Sequence, residues 1–206
     1  MKMEITAPTA LSQTDDDSRE NNKRRTKKTP KKPKKITKRY LYNSGLYYLQ
    51  RYPASTHHFH RVMSRKIDKS LAHHQEPPRE DCLQWLQSIT AELADLGYLN
   101  DDLYLTAMVR SYRRKGLALK AIQAKLIPKG FSGSTIQDAV QNIDAENENT
   151  HGEYEAAKIF IRRKKLGAYD EKNRFSEEQS LGKLARAGFS YDIAKKILEH
   201  KDFDAL

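Results

Sequence analysis

The sequence predicts an all-α fold in which three tandem three-helix repeats follow a basic N-terminal tail. Three observations carry that expectation. Apolar residues recur at helical spacing from Tyr40 onward, strand signals are missing, and a Gly-Phe-Ser step occurs twice. No segment sustains the alternation of a half-buried strand, and no Asn-Gly or Asp-Gly pair offers a hairpin turn.

The tail is read as residues 1–38. Met1 to about Thr37 lacks hydrophobic periodicity and is rich in Lys, Thr, Asp and Pro, a composition expected to stay disordered. Twelve lysines and arginines and one acid, Glu20, lie between Arg19 and Arg39, and their balance equals the net charge of the whole chain, +11. The tail reads equally as a phosphate-binding arm, which gains affinity by releasing counterions, or as a solvating tail with incidental affinity for polyanions. From Tyr40 the chain is close to neutral, so any basic surface on the folded part must come from local patches.

The first repeat is expected over 39–99. Its first helix is read from Leu46 to Tyr52, and its second carries Phe59 and Met63. Its third, from Arg79 to about Leu96, has Cys82, Leu86, Ile89, Leu93 and Leu96 on one stripe, followed by Gly97 as a stop. The second repeat, 100–150, opens on Asn100-Asp101-Asp102, short polar residues that can cap free amides. Its first helix is expected to turn Tyr104, Met108 and Tyr112 inward. The next spans about Ala118 to Lys129, with Ile122 and Leu126 one turn apart and Pro128 distorting the last turn. Ser134 and Gln137 resemble a capping box for the helix of Ile136, Val140 and Ile143. Asp144 to Gly152 reads as a polar linker. The third repeat, 151–206, begins with a helix over Glu153–Leu166. Ser176 with Gln179 suggests a capping box for the next, and Ser190 can cap a last helix holding Ile193 and Ile197.

The internal repeat ties these elements together. Lys129-Gly130-Phe131-Ser132 recurs as Ala187-Gly188-Phe189-Ser190, each with a leucine four residues before the glycine, Leu126 and Leu184. Glycine tolerates a left-handed turn, phenylalanine packs on the preceding turn, and serine starts the next helix. Upstream of each copy lies a helix with a basic end: Arg110, Arg113, Arg114 and Lys115 in one, Arg162, Arg163, Lys164 and Lys165 in the other. Three such units in tandem would make an elongated, curved solenoid-like body, in keeping with an apolar content of only 37%.

These features resemble the RecX family. Leu96-Gly97-Tyr98-Leu99-Asn100-Asp101, leading into Tyr104 and a basic helix end, looks like that family's step of glycine, hydrophobic residue, leucine and two acids. Leu184-Ala185-Arg186-Ala187-Gly188-Phe189-Ser190-Tyr191-Asp192-Ile193 is similar to its closing repeat. The resemblance covers about Tyr40 to His200. It implies a modulator lying in the helical groove of the RecA filament on DNA, impeding its growth and its recombinase, ATPase and coprotease activities; a monomer is expected. The chain departs from the family pattern in a polar insertion, Asp68 to Pro78, in an extension, Ala168 to Phe175, and in the basic tail.

The eight basic residues at the two helix ends are the candidate contacts for RecA or for DNA, single-stranded or reached through RecA. Arginine can pair bidentately with carboxylate or phosphate. The alternative is local, since cations at a helix C-terminus are favoured by the macrodipole without any ligand. His57, His58, His60, His73 and His74 lack a companion Cys or acid at metal-ligand spacing, so no metal is expected. Tyr104, Tyr112, Phe131 and Phe189 suit core packing better than base stacking, while Tyr40, Tyr42, Tyr47 and Tyr48 fit either. No phosphate-cradling loop, metalloprotease helix or nucleophile elbow occurs. Glu153 and Glu155 look like a solvated helix face, and Cys82 like a small core hydrophobe. The expectation is a cytoplasmic, non-enzymatic protein without cofactor. A general nucleic-acid-binding repeat protein acting through its tail is the alternative.

Overall fold

The structure, a computed structural model, describes residues 32–146 and 151–199. Most of the expected tail, 1–31, lies outside the described residues, as do 147–150 of the expected linker and 200–206. Among the described residues there is no strand, and no helix is long and apolar enough to cross a membrane. The helices are α1 (Lys38–Leu49), α2 (Thr56–Leu71), α3 (Arg79–Asp95), α4 (Asp101–Arg114), α5 (Leu119–Leu126), α6 (Gly133–Glu146), α7 (Gly152–Lys164), α8 (Glu177–Arg186) and α9 (Tyr191–Glu199).

The same packing order occurs three times. α1 and α2 both lie on α3, α4 and α5 on α6, and α7 and α8 on α9. Each triplet has its own core, and the third also takes in Ala118 from just before α5. Leu41, Phe59, Ile67, Leu86 and Leu93 are buried in the first, Val109, Ile122, Leu126 and Ile136 in the second, and Ile161, Leu166, Leu184 and Ile197 in the third. Cys82 is buried in the first core, where burial pushes its thiol pKa up and Asp81 adds to the effect.

Local chemistry sets most boundaries as the sequence predicts. The Ser176 hydroxyl accepts from Gln179 N–H while the Gln179 side chain accepts from Ser176 N–H, a complete capping box. Asn100 caps α4 through Leu103 N–H at 2.9 Å, and Pro128 sits in a 3₁₀ turn, Ile127–Lys129, that ends α5.

Four expectations are corrected. α1 starts at Lys38 rather than Leu46, because Thr37 caps Tyr40 N–H at 3.2 Å and Leu41 reaches the core. The fold therefore reaches into the span read as tail. Ile36 is 1% exposed in the first core, Ser70 Oγ donates to Lys34 O at 2.8 Å, and a ring nitrogen of His74 lies 2.8 Å from Pro33 O. One apolar residue within a lysine run gives no periodic signal, yet its burial contributes roughly 1.5–3 kcal/mol. Ser132, not Ser134, caps α6, accepting Thr135 N–H at 3.0 Å. Tyr104, Met108 and Tyr112 of α4 do pack against the second core, half-buried, beside Leu105 and Val109, which are fully buried. The stretch read as a linker from Asp144 instead continues α6 through Glu146.

The extension after α7 is organised by Asp170, whose side chain is 4% exposed. Burial alone would raise its pKa. Arg174 Nε, donating at 3.1 Å, and Phe175 N–H, donating at 2.9 Å, outweigh it, and with the Arg174 charge they hold the carboxyl below its ordinary value. A folded pKa below the unfolded value of about 3.9 means that the stabilisation is complete above that value and lost as pH falls through the folded one. Asp170→Asn is therefore expected to lose stability less steeply than the parent in acid. Urea midpoints measured from about pH 6 downward test this, and parallel curves for the two proteins would refute it.

Candidate partner-binding surface

The two basic helix ends meet. α4 packs on α7, and Arg163 Nη1 donates to Lys115 O at 2.7 Å, supplying a partner for a carbonyl at the C-terminal end of α4. The approach depends on Gly116, at φ +69°. A Cβ there would lie 2.8 Å from Ala156 O and 2.9 Å from Phe160 N, so both the turn and the contact require glycine.

Consecutive arginines of α4 face different surroundings, because successive residues of a helix differ by about 100° around its axis. Arg113 has only 10% of its side chain exposed. It pairs with Asp144 of α6 and Glu153 of α7, each at 2.8 Å, and donates to Leu117 O at 3.1 Å. Glu153 also accepts Leu119 N–H at 3.1 Å, capping α5, whose own N-cap residue, Ala118, has no side-chain cap bond. Arg113 thus joins α4 to α6 and α7, and Glu153 ties α5 to the same cluster. Arg113 is structural rather than a presented contact, and Glu153 is not part of a solvated face. Periodicity within α7 could not show this, because the partner lies forty residues away.

Arg114, Lys115, Arg162, Lys164 and Lys165 are exposed, and none is ion-paired to a carboxylate among the described residues. Arg110 is half-exposed and pairs with Glu146 at 2.5 Å, a surface bridge that contributes at most about 1 kcal/mol. Lys165 ends α7 in the left-handed region, at φ 52°. Lys164 adds its charge near Lys183, whose ammonium lies over the Phe175 ring. Burial, then the charge of Arg174, lowers the Lys183 pKa; Asp170 opposes this, and Arg186 and Lys164 add to the lowering. Of the eight candidate residues, five stand free for an anionic surface and three hold local structure.

The histidines serve separate contacts. His60 Nε2 is 2.9 Å from Thr90 Oγ1, His74 meets Pro33 O, and His58 faces Arg61 and Lys129. No group of three His, Cys, Asp or Glu suited to a metal occurs among the described residues.

No protein-family model matches the chain, and no solved structure does. Curated proteins do. The chain is 35% identical over 187 residues to the regulatory protein RecX of Myxococcus xanthus, covering 89% of this chain and 97% of that protein. It is 31% identical over 105 residues to the regulatory protein RecX of Agrobacterium fabrum, covering 48% of this chain and 51% of that one. With the regulatory protein RecX of Streptomyces coelicolor it shares 30% identity over 114 residues, 54% of this chain and 57% of the relative. A likeness that runs almost end to end in the first of these, joined to an all-helical chain among its described residues, establishes that the chain belongs to the RecX family.

Proposed function

We propose that this protein regulates RecA by binding its filament on DNA and restraining it, with no catalytic step of its own. The observation that carries the reading is the union of the α4 and α7 ends into one cationic surface through the Arg163–Lys115 bond, in a chain whose relatives are named regulatory proteins. We read the three triplets as tandem repeats over 39–99, 100–150 and 151–206; the recurring packing order supports this. Arg114, Lys115, Arg162, Lys164 and Lys165 are the contacts. Arg163 and Arg113 position them, and Arg110 stands at the edge. The anionic partner is an acidic face of RecA or the phosphates beside it, and the protein acts in the cytoplasm as a monomer.

The test is RecA-driven strand exchange and ATP hydrolysis with increasing protein. The parent is expected to inhibit at or below stoichiometry with RecA. Changing Arg114, Lys115 and Arg162 together to glutamate is expected to weaken inhibition by an order of magnitude or more, since juxtaposed like charges cost several kcal/mol. Absence of inhibition by the parent overturns the proposal. Deleting residues 1–32, which spares Ile36, separates it from a tail-driven nucleic-acid binder: retained RecA inhibition supports filament regulation, and loss of all activity supports the tail.

A further inference from the structure

A second cationic cluster lies at the junction of the first and second triplets, away from the α4 and α7 ends. Ser55, the N-cap of α2, accepts His58 N–H at 3.2 Å and donates its hydroxyl to Lys129 O at 2.5 Å. That bond fixes the Lys129 backbone against the start of α2. Lys129 Nζ consequently lies 3.4 Å from both ring nitrogens of His58, and Arg61 Nη2 lies 2.9 Å from His58 Nδ1. Arg65, exposed one turn further along α2, is close enough for its charge to act on His58.

Nothing in the described protein neutralises this group. Arg61, Arg65 and Lys129 have no carboxylate partner among the described residues, and Arg61 Nε is buried without a hydrogen-bond acceptor. Asp101, in the first turn of α4, is engaged with Thr56 N–H at 2.7 Å. Burial lowers the pKa values of both His58 and Lys129. The surrounding cations lower that of His58 further, Lys129 first, and Arg61 does the same to Lys129. Half-buried like charges held together by the fold repel one another, and an anion seated among them removes the repulsion.

Aromatic rings stand beside the cations. Tyr48 lies within reach of the Arg61 charge, and its ring centroid is 5.4 Å from that of Tyr52, which is 58% exposed. Cations that follow a backbone next to an exposed ring are the pairing by which single strands are bound without regard to sequence.

We propose that His58, Arg61 and Lys129, with Arg65 at the rim, form a phosphate site for the backbone of a single-stranded nucleic acid, and that Tyr52 stacks on a neighbouring base. This deepens the reading that the chain touches DNA, and it requires no RecA.

The test uses the full chain and a fluorescent oligothymidylate, with anisotropy recorded over a salt series and RecA absent. Lys129→Gln and Arg65→Gln are each expected to weaken binding severalfold and to reduce the slope of log affinity against log salt by about 0.7, the value for one phosphate contact on a single strand. Tyr52→Ala is expected to weaken binding about fivefold or more with the slope unchanged. Lys195→Gln, on α9, serves as the control and leaves both unchanged. Arg65 and Tyr52 are exposed, so their variants keep the fold, which melting curves verify. In the parent, the oligonucleotide is expected to raise the titration midpoint of His58 seen by NMR, because an adjacent phosphate favours the imidazolium. Unchanged affinity and slope in both cation variants overturn the proposal. So does a His58 response to inorganic phosphate with none to the oligonucleotide. RecA inhibition lost with this binding intact would sink the regulatory reading alone.

Discussion

Arg113→Ala is expected to destabilise the protein by about 3 kcal/mol, a loss of roughly 6–12 °C in melting temperature for a chain of this size. Truncation removes two ion pairs and the bond to Leu117 O, and leaves Asp144 and Glu153 facing each other without their shared cation. Their side chains are 19% and 26% exposed, so water softens the penalty, and the figure is taken at the low end for a broken buried pair. The parallel variant Arg114→Ala, one residue on and exposed, is expected to change stability by less than about 0.5 kcal/mol. A thermal melt of the two proteins decides the matter. Equal effects would mean that the cluster does not join α4 to α6 and α7. A double-mutant cycle with Glu153→Gln should return a coupling of about 1 kcal/mol or more, since the residues share one network.

Gly130→Ala is the second substitution with a large expected effect, about 3 kcal/mol. Gly130 adopts φ +99°, which costs a residue bearing a Cβ about 1–2 kcal/mol. The added atom would also lie 2.4 Å from His57 Cβ, at the start of α2, a distance that close-packed protein cannot absorb without separating the two triplets. Gly97 provides the comparison. It too is left-handed, at φ +78°, but a Cβ there meets nothing within 4 Å, so Gly97→Ala should show the backbone cost alone. Denaturant midpoints of both variants give the difference, and His57→Gly in the Gly130→Ala background is expected to recover part of it. Equal losses at the two glycines would show that the junction tolerates the contact.

The helices were largely legible, and their partnerships were not. The stripe of Cys82, Leu86, Ile89, Leu93 and Leu96 locates α3 almost to the residue, although Leu96, at its C-cap, is exposed rather than buried, and the Ser176–Gln179 pair marks the start of α8. Both signals depend on neighbours within one or two turns. The Gly-Phe-Ser step reads as a helix stop, which accounts for its left-handed backbone. That each glycine also bears on the second helix of the preceding triplet, Gly130 on His57 and Gly188 on Lys120 and Ala121, involves residues some seventy positions apart and has no local signature. The basic ends are legible in the sequence as a group. Which of Arg113 and Arg114 turns inward depends on where α7 is placed, and which of Lys115 and Arg163 is available depends on a bond between triplets. The sequence offers two starts for α6, Ser132 in the repeated Gly-Phe-Ser step and Ser134 paired with Gln137, and only the backbone path decides for Ser132.

The Glu153 carboxylate limits how this chain can be shortened. A fragment that stops at residue 150 retains every helix of the middle triplet, yet it strips the start of α5 of its acceptor and removes one of the two countercharges of Arg113. Divisions visible as repetition in the sequence are thus not places where the polypeptide can be cut without loss. Any evolutionary gain or loss of a triplet would have to carry its neighbour's acid along or replace it.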